Sequence, residues 1–230
     1  KVKDIRETEP AEDSGFLEDG AKLGANDRWP FQRVWYSEKW AKDRHSYEKV
    51  ILPDISIAYL QDTAWKDRKP GDSQDELAED AQKLADFWEE LRSNRSRNEV
   101  TAKMDLTTTS GPKTLIIEAA IVELVPNNAI LKIAGTAAGQ AVTGGGLIKK
   151  LGNGSIAFEM QVRDSETGEV LIQAADREVF QSALVDVASY TWYHGAKNVI
   201  KEWQEQMYEL YSSPFDQKVE DGRPIKLIAL

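Results

Sequence analysis

Carboxylates are the residues of this sequence best placed to do chemistry. Asp54 with Asp62, and Asp164 with Glu166, form pairs that could be drawn into general acid–base work, one carboxyl giving a proton while the other takes one. Nothing in the neighbouring residues singles out either pair. Asp164 also opens the run Asp164-Ser165-Glu166-Thr167-Gly168, a turn in which an aspartate ordinarily hydrogen-bonds its own loop amides. Nucleophilic chemistry has less support, because no GxSxG elbow and no ordered Ser/His/Asp set occurs. The chain has no cysteine and only two histidines, His45 and His194. Thiol catalysis and disulfides are thereby excluded, and no HExxH zinc motif is present. The expectation is a protein with no catalytic, cofactor or metal site.

Two other segments invite a binding role. The first is aromatic: Trp29, Phe31, Trp35, Tyr36, Trp40 and Tyr47. Their irregular spacing does not fit a strand, and Trp29-Pro30-Phe31 suggests a loop laid over the core. Exposed tryptophans stack on sugars or fill a partner's pocket; the alternative is a flap packed inward. The second is glycine-rich, AILKIAGTAAGQAVTGGGLIKK over 129–150. Gly135 and Gly139 make a GxxxG spacing that lets two backbones approach closely. It reads as a structural insertion, a contact with membrane or partner, or a phosphate loop. The last fits poorly, since Lys149 and Lys150 do not follow the Gly-Lys-Ser/Thr order.

Charge narrows the partners. The net charge is −10 and the isoelectric point about 4.9, whereas nucleic-acid binders neutralise phosphates with a basic face. Arg92, Arg95 and Arg97 make the one tight basic cluster. They follow a predicted helix, where cations favour the negative end of its dipole. No nucleic-acid partner is expected. Hydrophobic residues make up 41%, with seven Trp, seven Tyr and six Phe, enough for a core in a chain of 230 residues.

The elements that must position these residues follow from periodicity. Residues 50–60 read as a strand, with Pro53 placing it at an edge, a bulge or a strand start. Ser73 with Glu76 forms a capping box. Behind it Leu77, Ala81, Leu84, Trp88 and Leu91 share one helical face, and the helix should end near Asn94. Strands are expected over 100–106 and 114–125. In a third, over 155–163, Ile156, Phe158, Met160 and Val162 point inward while Glu159, Gln161 and Arg163 point outward. A hairpin turn with Gly168 at positive φ leads to a return strand over 169–177. A last helix runs from about Tyr190 to Tyr211, with Trp192, Ala196, Val199, Trp203, Met207 and Leu210 as its apolar stripe. The order predicts an α+β fold, a mostly antiparallel sheet with two main helices packed on one face. The expected organisation is a flexible acidic leader over 1–28 that becomes ordered near Phe16 and Leu17, a single domain over 29–213 with the insertion at 129–150, and a loosely attached tail over 214–230.

Ser14-Gly15-Phe16-Leu17, Tyr47-Glu48-Lys49-Val50-Ile51-Leu52-Pro53-Asp54, Asp164-Ser165-Glu166-Thr167-Gly168-Glu169-Val170 and Trp203 together resemble an uncharacterised family of bacterial predicted lipoproteins, domain of unknown function 3313. The resemblance spans roughly residues 14–211. It implies a lipid-modified cysteine just upstream of Lys1 in the precursor, a periplasmic face of the envelope (the outer membrane first) and no established catalytic residues. The order of elements is also similar to envelope lipoproteins of the TolB amino-domain type, a fold-level analogy. Lys1 is not a methionine and its neighbourhood is polar, as expected of a chain whose front end has been removed. A leader of about 14 flexible residues would span roughly 20 Å.

The leading expectation is a non-enzymatic, membrane-anchored envelope protein that binds other envelope proteins, with self-association left open. Its candidate surface is Trp29, Phe31, Trp35, Tyr36, Trp40, Gly135 and Gly139. The alternative is a binder of a small molecule or cell-wall glycan; a weaker one is an envelope hydrolase built from scattered carboxylates.

Overall fold

A computed structural model of the chain describes residues 9–61, 74–98, 104–125, 154–180 and 194–221. Six strands form one sheet in the order β1-β6-β5-β4-β2-β3: β1 Arg33–Tyr36, β2 Lys49–Ile51, β3 Asp105–Leu106, β4 Thr114–Val125, β5 Gly154–Asp164 and β6 Val170–Phe180. Pairing is antiparallel except for β2, which runs parallel to both β3 and β4. Among the described residues three α-helices accompany it: α1 Glu38–Asp43, α2 Gln74–Asn98 and α3 His194–Ser212. The fold is α+β with a mostly antiparallel sheet. No helix among the described residues is long and apolar enough to cross a membrane.

The β-branched run of β4 and the alternation of β5 produce the strands expected of them. Around the turn, Asp164 Oδ1 accepts from the amides of Glu166 at 3.0 Å and Thr167 at 3.1 Å, and Gly168 takes φ +74°. The inward residues of β5 join α2 and α3 in the main core. Its centre is aromatic. Phe158 meets Trp203 edge-on at 4.6 Å between ring centroids and Trp88 at 5.7 Å, the T-shaped geometry that ring quadrupoles favour. Both indoles are satisfied: Trp88 Nε1 donates to Gln204 Oε1 at 3.2 Å, and Trp203 Nε1 to Asp176 Oδ2 at 2.8 Å. At Gly195, in the first turn of α3, a Cβ would stand 2.4 Å from the Phe180 ring, so only glycine lets the helix start this close to β6.

Several expectations change. Of the stretch expected as a strand over 50–60 only 50–51 pair as one, within β2; Pro53 has no amide to donate, and the remainder keeps a single bridge between Ser56 and Ala120. The aromatic segment does contain a strand, β1, with Trp35 and Tyr36 in it. It forms because β6 offers an open edge, a cue invisible in local spacing. Ser73, Trp192 and the 129–150 insertion lie outside the described residues.

The outward face of β5 is where burial departs most from pattern. Glu159 and Gln161 do point away from the helices, yet only 1% and 5% of their surface is exposed. Residues 9–18 lie across them. Ser14 donates to Glu159 from its amide at 3.2 Å and its hydroxyl at 2.6 Å, and the Glu18 amide donates to Gln161 at 3.4 Å. Arg33 and Arg177 donate to the carbonyls of Ala11 and Glu9, while Ala11 and Phe16 pack on Ala120, Val122 and Ala157. The acidic stretch expected as a leader is therefore, over its described part, a strap on the sheet. At the other end, Val219 is buried and its amide donates to Arg28 at 3.0 Å, so described residues of the expected tail also dock.

Candidate functional site

The carboxylate pairs do not assemble a catalytic centre. Asp62 lies outside the described residues and Asp54 is exposed. Asp164 is committed to structure: Lys39 Nζ and the Tyr47 hydroxyl both donate to it at 2.8 Å. Burial favours its neutral form, but these bonds and the turn amides outweigh burial and hold the carboxyl well below its usual range. Burial and the bond to Asp164 together push Tyr47 up to about 12. No group of three or more His, Asp or Glu among the described residues could hold a metal ion. His45 is exposed.

Among the described residues burial drives two carboxyls toward the neutral form, Glu159 under the strap and Asp176 beside α3. Burial pushes Asp176 up to about 7, against hydrogen bonds from Trp203 and from the Gln32 amide at 3.1 Å and with added repulsion from Asp221. It sits in the wall between sheet and α3 rather than in a cleft, so its chemistry is that of a packed acceptor.

The concave feature lies beside the aromatic core. A cavity of about 190 Å³ opens between the sheet and the C-terminal half of α3. Val50, Leu115, Ile117, Met160, Val162 and Ile172 form the sheet wall. Met207, Tyr208, Leu210 and Tyr211 face them from α3. Trp29, Phe31, Trp40, Leu52, Met104 and Gln204 complete the lining. No carboxylate or histidine among the described residues lines it; its charges are Arg44 and Arg92. Ser37 caps α1 by accepting from the Trp40 amide at 3.1 Å, which fixes the turn that carries both Trp40 and, just beyond the helix, Arg44.

The candidate surface residues divide. Phe31 and Trp40 are buried, and Trp29 and Tyr36 pack half-buried against the core. Trp35 is half-exposed, with Lys22 Nζ 5.1 Å from its ring centroid. Gly135 and Gly139 lie outside the described residues. The aromatic segment is thus mostly a flap, and it walls a cavity. Arg92, read from sequence as part of a helix-end cluster, is instead buried. Its signal was available: it stands four residues after Trp88, on the apolar face of α2, where an arginine has no solvent to meet.

Fold and cavity together define an α+β domain built around one mixed sheet, with an apolar chamber under its last helix. The chain belongs to the family described as a protein of unknown function, DUF3313, whose model matches residues 12–207. No curated protein matches it. Among solved structures it is similar to a PelC dodecamer from Paraburkholderia phytofirmans, at 11% identity and TM-score 0.35 over 74% of this chain and 90% of that one. It is also similar to the hypothetical protein CT253 from Chlamydia trachomatis, at 12% identity and TM-score 0.36 over 73% and 99%.

Proposed function

We propose that this protein is a non-enzymatic, lipid-anchored protein of the bacterial cell envelope whose domain binds an apolar small molecule. The cavity carries the reading. Its walls are aliphatic, aromatic and thioether side chains, the lining that buries a ligand and leaves a few polar groups to orient it. At about 190 Å³ it is below the ~300–1,000 Å³ of drug-sized pockets and above the ~150 Å³ apolar cavity known to admit benzene.

A ligand bound only by the folded state raises its melting temperature. The test is thermal unfolding with 1-decanol, a neutral probe, for the native chain and for Met207→Trp, which fills the chamber from its half-exposed α3 wall. A rise that the variant loses is the expected result; no rise at saturating probe sinks the reading. The lipid anchor upstream of Lys1 and the envelope location rest on the resemblance to predicted lipoproteins. Intact mass of the protein from native membranes checks them: a diacyl or triacyl cysteine before Lys1 is expected, and an unmodified soluble form overturns the anchor.

Contact with other envelope proteins, or with a second copy, is the second reading. It keeps one observation, the half-exposed Trp35 on edge strand β1. Crosslinked partners that disappear with Trp35→Ala would favour it.

A further inference from the structure

We infer that the cavity selects an amphiphilic anion, an acyl chain whose carboxylate is held by Arg92. The inference rests on the binding role proposed above and adds the chemistry of the ligand. Arg92 reaches the cavity wall from α2 with 8% of its surface exposed. Nη2 donates to the Pro53 carbonyl at 2.6 Å. Nε and Nη1 are both buried and have no hydrogen-bond partner among the described residues. Folding rarely leaves this arrangement, because a buried guanidinium with unused donors loses its hydration and gains nothing in exchange.

The nearest carboxylates do not fill the vacancy. Burial disfavours the Arg92 cation while Glu89 and Asp54 support it through space. Glu89 Oε1, however, accepts from the Ile55 amide at 2.7 Å, and Asp54 is exposed. Their field keeps Arg92 charged without satisfying Nε and Nη1. An arginine holds its proton throughout the physiological range, so the group that completes the site is an acceptor, and an anionic one is bound most strongly.

Arg44 adds a second positive charge to the lining. It is buried, donates from Nη2 to the Ser213 carbonyl at 2.8 Å, and lies over the Phe215 ring. A site with two cations, no lining carboxylate and walls that are apolar apart from Gln204 and two tyrosines suits a molecule with one charged end and one hydrocarbon end. The volume of about 190 Å³ is roughly six times the ~30 Å³ that one water occupies in the liquid. That is room for a chain of about six to eight carbons, or for the end of a longer one.

The deciding experiment is titration calorimetry of the full chain with decanoate, 1-decanol and decylamine, which share one chain and differ in headgroup charge. Decanoate is expected at one per chain and about tenfold or more tighter than decanol, the worth of a hydrogen bond to a charged group, with decylamine weakest. Arg92→Gln should remove the advantage of decanoate over decanol. Met207→Trp should weaken both. Equal binding of decanoate and decanol overturns the anion preference and leaves the apolar binding role standing. Binding of neither overturns both. Decanoate binding that survives Met207→Trp places the ligand elsewhere and overturns the site. Should Arg92→Gln fail to fold, the headgroup comparison on the native chain decides alone.

Discussion

The two faces of the central sheet are both buried, by opposite means. The helix face is closed by hydrocarbon: Phe158, Trp88 and Trp203 interlock, and Ala81, Leu84 and Ile200 fill the space beside them. The other face is closed by polar groups that find partners. Glu118 accepts from Gln161 at 2.9 Å and Arg163 at 3.0 Å, Glu123 accepts from Arg177 at 2.8 Å and from Ser155, and Glu159 accepts from Ser14. A face whose residue types read as solvent-exposed can be interior when a strap supplies its hydrogen bonds. The first face depends on shape, the second on satisfied donors and acceptors, so the two should fail differently.

Removing shape from the helix face should cost most. Phe158→Ala empties the centre of the aromatic cluster and should destabilise the chain by about 3–5 kcal/mol, read from denaturant midpoints. A loss below about 1 kcal/mol would mean that the cluster is not the keystone of that face.

The buried acid on the same face gives a pH signature. Asp176 is raised from 3.8 to about 7 on folding. Between those values the native state keeps a proton that the unfolded chain releases. Stability therefore falls as pH rises from about 4 to about 7 and levels off above, by up to roughly 4 kcal/mol at ~1.36 kcal/mol per unit. Asp164 acts in the opposite sense: held low on folding, it contributes above pH ~4 and loses that contribution as the solution becomes more acidic. Asp176→Asn should flatten the decline between pH 4.5 and 7.5. An unchanged slope would assign the decline to other groups.

On the strapped face the expected effect is smaller. Ser14→Ala removes the hydroxyl that donates to Glu159 and should cost about 1–3 kcal/mol, with faster amide exchange confined to the strap. Exchange that accelerates equally in α2 and α3 would show that the two faces are not separable.

α2, α3 and β4 through β6 were legible because their signal is local: a 3.6-residue stripe from Leu77 to Leu91, a two-residue alternation from Ile156 to Val162, and the turn at Asp164. What escaped depends on residues far apart in the chain. The chamber draws its walls from Trp29 through Tyr211, and no window of sequence contains it. β1 was missed because its four residues are a strand only when laid beside β6. The burial of Glu159 requires a serine 145 positions away, and alternation alone assigns the side of a strand, not what covers that side. Arg92 was misread for a related reason: along the sequence it groups with Arg95 and Arg97, whereas one turn back on the helix it follows Trp88.

The pairing of early segments with late ones sets the order of events during synthesis. β1 has to wait for β6, the strap for β5, and the Arg28 carbonyl for the amide of Val219. A chain still being made thus holds its aromatic flap and strap without their partners until β5 and β6 have followed. Closing such long loops makes folding slow. During that interval β1 has no partner strand, and its backbone groups are open to pairing with another unfinished chain, so the conditions that favour this protein are those that keep newly made copies apart.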